Sequence, residues 1–155
     1  TRQVSSAASD VYKRQMATLS QIRNAIRTKV DAITDFREVS FPVEFFDRSQ
    51  NSLAHLGFAV GCRISNASNE RQRGTRHYLE TDIQIVFAHR IRPHSVTEDY
   101  NNALDTEKTV IDAVLGSYSD IQPGTELRYN RSTRVIANSI EYTIITIELT
   151  AYHTP

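Results

Sequence analysis

The chain has 155 residues, 18 Lys and Arg against 18 Asp and Glu, and a single cysteine, Cys62. That length builds one domain with a real core, the balanced charge supplies no global field for nucleic acid or membrane, and one cysteine excludes an internal disulfide framework. No apolar run approaches the ~20 residues that span a bilayer, and no stretch has the apolar core of a signal peptide, so a soluble protein with no membrane partner is expected.

The basic charge is carried almost wholly by arginine, the only lysines being Lys13, Lys29 and Lys108. Weakly hydrated, bidentate guanidinium groups are favoured at protein interfaces, where lysine is depleted. A compositional bias of the source genome accounts for the same ratio equally well.

Residues 1–15, TRQVSSAASDVYKRQ, are small, polar and weakly periodic. Met16 is the only methionine and precedes a clean helix start, so it reads as the native initiator. The leader is then expected to be non-native, its VYKRQ ending resembling translated adapter sequence; a native arm that orders on assembly is the alternative. Residues 16–155 are expected to form a single α+β domain.

A first helix is expected over Leu19–Ile33. Leu19, Ile22, Ile26, Val30 and Ile33 make one apolar stripe, and Thr18 with Gln21 fits a capping box. An edge strand follows at Val39–Phe45, where Pro42 cannot donate to a ladder. Asp47–Leu56 is a polar connection. Gly57–Ser65 is a second strand, with Phe58, Val60, Cys62 and Ile64 on one face and Cys62 acting as a small buried hydrophobe.

Asn66–His77 is the most polar stretch after the leader, made locally basic by Arg71, Arg73 and Arg76. A hairpin closes in 2–5 residues, so a longer loop suggests an arm that docks on a neighbouring subunit or faces passing nucleic acid. A solvated loop is the plainer reading.

From Tyr78 the chain reads YLETDIQIVFAHRI. Leu79, Thr81, Ile83, Ile85 and Phe87 share one face, while Glu80, Asp82 and Gln84 share the other before Val86 and Ala88 turn it apolar. This is a half-buried antiparallel strand of about fourteen residues, roughly 46 Å long. It exceeds a domain of roughly 14 Å radius of gyration, so its far end needs a partner. Ser95 and Glu98 then fit a capping box, with Thr97 as the alternative cap. A long helix carrying Tyr100, Leu104, Ile111, Val114, Leu115 and Tyr118, with Ala103 between them, ends near Ser117–Ser119.

Asp120–Gly124 is a turn. Thr125–Ile136 is an irregular strand kept wet by Arg128, Arg131 and Arg134. Ala137–Ser139 is a hairpin tip, and Ile140–Tyr152 is a last long strand, apolar on both sides and therefore central or covered by another chain. The expected fold is α+β: a mixed, mainly antiparallel sheet of about five strands packed by two helices, in the order α-β-β-β-α-β-β.

Catalytic chemistry is not signalled. His89 and His94 straddle Pro93 at a spacing that suits no metal geometry, and His55, His77 and His153 are dispersed. Glu80 and Asp82 alternate outward on a strand. There is no phosphate loop, nucleophile elbow or CxxC. Asn66-Ala-Ser68 and Asn130-Arg-Ser132 match the glycosylation pattern, which is common by chance.

The element order and the unit LETDIQIVFAHRI…TEDYNNALDTEKTVIDAVLGSY, with a final EYTIITIELTAYH strand, resemble the tail terminator (tail completion) proteins of long-tailed bacteriophages. The likeness covers about Met16–His153 and is one of pattern. It implies a structural virion protein at the tail–neck region, assembled in the host cytoplasm, with no enzyme activity and no cofactor. Its subunits would form a homo-oligomeric, hexameric ring that caps the tail tube protein, stops its polymerisation and meets the head–tail connector. Arg71, Arg73 and Arg76 would then make subunit or tube contacts, or touch DNA in the lumen without reading its sequence. A different head-completion or connector subunit is the near alternative, and a free ferredoxin-like ligand-binding domain the distant one.

Overall fold

The computed structural model describes residues 18–39, 55–67, 79–116, 125–136 and 141–153. Helix α1 (Leu19–Asp31) opens as its sequence signals. The Thr18 hydroxyl accepts the Gln21 N–H at 3.3 Å, and the Thr18 N–H donates to Gln21 Oε1 at 3.0 Å. Two donors that the first turn would otherwise leave orphaned are thereby satisfied. The buried face of α1 is Ile22, Ala25, Ile26 and Val30.

The chain then turns through Asp35, whose φ of 69° is one that Asp tolerates, into the two-residue strand β1 (Arg37–Glu38). β1 pairs in parallel with the start of β2 (Gly57–Ala67), and Val39 N–H extends the ladder to the Phe58 carbonyl at 2.9 Å. The first strand thus begins two residues before the expected Val39. Residues 40–45 of that expected strand, and Pro42 with them, lie outside the described residues.

β3 (Leu79–Arg90), helix α2 (Val96–Leu115), β4 (Glu126–Ile136) and β5 (Tyr142–His153) complete the expected α-β-β-β-α-β-β order. The sheet order is β1-β2-β3-β5-β4, parallel only at β1–β2 and antiparallel elsewhere. This is the α+β architecture read from the sequence. β5 is central, which explains why both of its faces are apolar.

The far end of β3 finds its partner inside the chain. β3 pairs with β5 over its full 12 residues, from Leu79↔His153 to Arg90↔Tyr142. β4 runs parallel to β3 with β5 between them, so α2 carries the chain over β5 and the last hairpin fills the gap.

One sheet face presents Phe58, Val60, Ile83, Ile85, Phe87, Ile145, Ile147 and Leu149 to both helices, and Phe36 closes one end with its ring 5.5 Å from Phe87. Burying each such side chain stabilises by roughly 1.5–3 kcal/mol. The other face holds a smaller cluster, Ala59, Val86, Ala88 and Ile144, with Val39 and Tyr142 against it. Cys62 packs at the margin of the main core, and burial pushes its thiol pKa up, as expected of a small hydrophobe.

Three local expectations need correction. Ser95 makes no side-chain cap bond to α2, because its φ of −140° and ψ of 38° turn the hydroxyl away from the first-turn N–H groups. The buried face of α2 is Asp99, Ala103, Glu107, Val110 and Val114; of the expected stripe, Ala103 and Val114 are buried and Ile111 and Leu115 pack against the core, while Tyr100 is exposed and Tyr118 lies outside the described residues. Two carboxylates sit on that face because each meets an arginine, a pairing invisible to apolar periodicity. Ile64 does not share the face of Phe58, Val60 and Cys62: the register shifts between Cys62 and Ser65, and Ile64 is 51 % exposed. A bulge adds one residue and reverses the alternation beyond it.

Candidate interaction surface

Arg71, Arg73 and Arg76 lie outside the described residues. Their loop leaves the sheet from a defined place, since Ala67 and Leu79 are Cα partners at the end of the β2–β3 hairpin. His153 pairs with Leu79 there, and its Nε2 lies 2.7 Å from Thr81 Oγ1. Thr81 Oγ1 in turn is 2.8 Å from Ser65 Oγ. The stem is therefore tied by side chains across β2, β3 and β5.

At the opposite end of β3, the carboxylate of Asp99 accepts both the Arg92 backbone N–H, at 2.8 Å, and the Arg92 guanidinium, at 3.0 and 3.1 Å. Those bonds hold the Asp99 pKa at about 2 despite its burial. His55 and His89 meet edge to face with ring centroids 4.7 Å apart, and His55 Nδ1 accepts the Arg90 N–H at 3.0 Å. Burial first, then His89 and Arg90, lower the His55 pKa. With Arg90, Arg92, Asp99 and Asn102 these rings line an open depression of about 330 Å³. On the face of the sheet away from the helices, a second depression of about 220 Å³ is edged by Arg63, Asp82, Gln84, Asn130, Arg131 and Glu148. Both are lined largely by polar and charged groups, many already bonded to one another, unlike the apolar clefts that hold small ligands. Among the described residues no group of three or more His, Cys, Asp or Glu is placed to hold a metal ion. No helix among them is long and apolar enough to cross a membrane.

The sheet edge at β4 has a different character. Its burial pattern is exposed at eight of 11 positions, and its register shifts between Tyr129 and Arg131. Its arginines are tied down within the chain. Arg128 bonds Glu126 and stacks over the Tyr152 ring at 4.9 Å. Arg131 bonds Glu148, which also accepts from Gln84. Arg134 donates twice to the Oε2 atom of Glu107, at 2.9 and 2.6 Å, while Glu107 Oε1 is buried without a hydrogen-bond partner.

Exposed apolar side chains stand among these paired charges. Six large hydrophobic residues are exposed among the described residues, and five stand on β4 or the first two turns of α2: Val96, Tyr100, Tyr129, Val135 and Ile136. The sixth is Ile64, on the exposed second half of β2, Arg63–Ala67.

Sequence reasoning placed Ile64 in the core and Tyr100 on the packed stripe of α2, so it missed both as surface residues. Neither carried a local signal, because each stands at an apolar position of its element's period. No protein-family model matches the chain, and no curated protein shows significant sequence similarity to it.

Proposed function

We propose that this protein is a structural subunit of a phage virion, a tail terminator whose copies close into a ring at the end of the tail tube. The ring stops tube polymerisation and offers its other surface to the head–tail connector. The observation that carries this reading is the concentration of exposed apolar side chains along the β4 edge beside α2. Large apolar side chains left exposed at a sheet edge favour a protein partner. Support also comes from the α-β-β-β-α-β-β order, which is the pattern the resemblance requires.

The basic loop carrying Arg71, Arg73 and Arg76 contacts neighbouring subunits, the tube or DNA in the lumen. It springs from a hairpin end braced by Ser65, Thr81 and His153, a rigid base for an arm. In the assembly experiment, purified protein added to polymerising tail tube protein halts growth and yields tubes that join heads. Tubes that keep lengthening at saturating protein would overturn the reading. For the loop, an Arg71/Arg73/Arg76→Ala variant gives tails of abnormal length or tails that fail to join heads; normal tails from it remove the loop from the mechanism.

A further inference from the structure

Among the described residues, the depression where β3 hands over to α2 is lined by His55, His89, Arg90, Arg92, Asp99 and Asn102, with no apolar side chain in the set. One residue fixes both imidazoles there. The Arg90 N–H donates to His55 Nδ1 at 3.0 Å, so the His55 proton is on Nε2. The Arg90 carbonyl can only accept, so the His89 Nδ1 that lies 2.9 Å from it carries the proton and leaves Nε2 open. Neither Nε2 has a partner among the described residues, although His89 is only 7 % exposed. A ring so deeply placed with a free nitrogen is completed by something from outside the chain.

The charge of the lining decides what that is. Asp99 is the only carboxylate in it, and both of its oxygens are taken by Arg92, through the backbone N–H, Nε and Nη2. Its charge is thereby matched, while Nη1 of Arg92 has no partner among the described residues. Arg90 makes no ion pair among them, so its positive charge is in excess. A cation entering here meets no free carboxylate. An oxyanion meets two arginines, the His55 Nε2–H and the Asn102 amide, in a space of about 330 Å³. We infer that this depression binds a phosphate-type oxyanion. His89 adds a further donor by taking a proton on Nε2, which leaves its bond to the Arg90 carbonyl intact. This site does not rest on the ring reading, and either can stand without the other.

The test is a titration of the full-length protein with inorganic phosphate at constant pH and ionic strength, chloride being the anion replaced, followed through the imidazole proton resonances. The His55 and His89 signals shift together and saturate. Those of His94 and His153, which are outside the lining, stay in place. Arg90→Gln, at an exposed position, keeps the wild-type melting temperature without phosphate and binds phosphate about tenfold more weakly, the loss of one charge-assisted contact. Dimethyl phosphate identifies the source: a diester that binds as well as phosphate assigns the site to a nucleic-acid backbone, and an inert diester assigns it to a free or terminal phosphate. His55 and His89 signals that ignore phosphate, reference signals that move with them, or an Arg90→Gln protein that binds like the wild type would each overturn the site.

Discussion

His55 is a proton-sensitive residue at the junction where the chain enters the sheet. Its Nδ1 must be unprotonated to accept the Arg90 N–H, and the adjoining Leu56 N–H donates to the Ala88 carbonyl at 2.8 Å. Burial, and after it His89 and Arg90, oppose a positive charge on His55, while Asp35 and Asp99 favour it less strongly, so the folded pKa lies below 6.5. The unfolded chain then binds more protons than the folded one between that lowered value and 6.5. Stability is full above pH 6.5 and falls as the pH drops into that window; thermal melts across pH 7.5 to 5 show the loss, and His55→Ala flattens it. Asp99 adds a second step. Its folded pKa of about 2 lies below the ordinary aspartate value of 3.8 because the Arg92 side chain and backbone N–H bond its carboxylate, so its contribution is present above pH 3.8 and is lost as the pH falls toward 2. Asp99→Asn removes that step at the cost of stability at neutral pH.

The Glu107–Arg134 pair is the other residue-scale dependence. Glu107 is buried, whereas the Arg134 side chain is 39 % exposed. Removing Arg134 strands a buried carboxylate, while removing both charges does not. Arg134→Ala therefore lowers stability in urea by about 1–3 kcal/mol, discounted for the solvent that reaches the pair, and a Glu107→Leu/Arg134→Ala double variant regains most of it.

Elements in this protein are set locally and positioned remotely. The capping box of α1 is local: Thr18→Ala costs about 0.5–2 kcal/mol, read as a lower denaturation midpoint with an unchanged slope. The orientation of α2 is remote. Its apolar residues select a stripe of which Ala103, Ile111, Val114 and Leu115 do meet the core, yet Asp99 and Glu107 are buried beside them because Arg92 and Arg134 pair with them. Val110, which the expected stripe omitted, is fully buried and leaves Tyr100 exposed. β2 shows the same division. Its alternation predicts a strand, but the shift between Cys62 and Ser65 puts Ser65 beside Thr81 and sends Ile64 outward.

For the whole molecule, the five-stranded sheet is the frame on which both helices pack. Ile147, fully buried at the centre of β5, anchors that frame; Ile147→Ala lowers unfolding free energy by about 2–5 kcal/mol and is checked by chemical denaturation. Ile64 and Ile136 share the chemistry of Ile147 and differ only in position, being 51 % and 56 % exposed, so their substitution by a polar residue leaves the melting temperature close to that of the wild type.

The sequence by itself determined the periods and therefore the elements: two helices, the long β3 and β5, the capped start of α1 and their order. Period is a local property, written in residues two or four apart. Tertiary structure alone decided that β5 inserts between β3 and β4, that two carboxylates go inside, and that Ile64, Tyr129 and Ile136 stay outside. Each of those outcomes depends on a partner far along the chain, as with Arg134 and Glu107, 27 residues apart. A one-dimensional pattern shows that a side chain is apolar, but whether anything in its own chain remains to cover it is settled only when the sheet has chosen its neighbours.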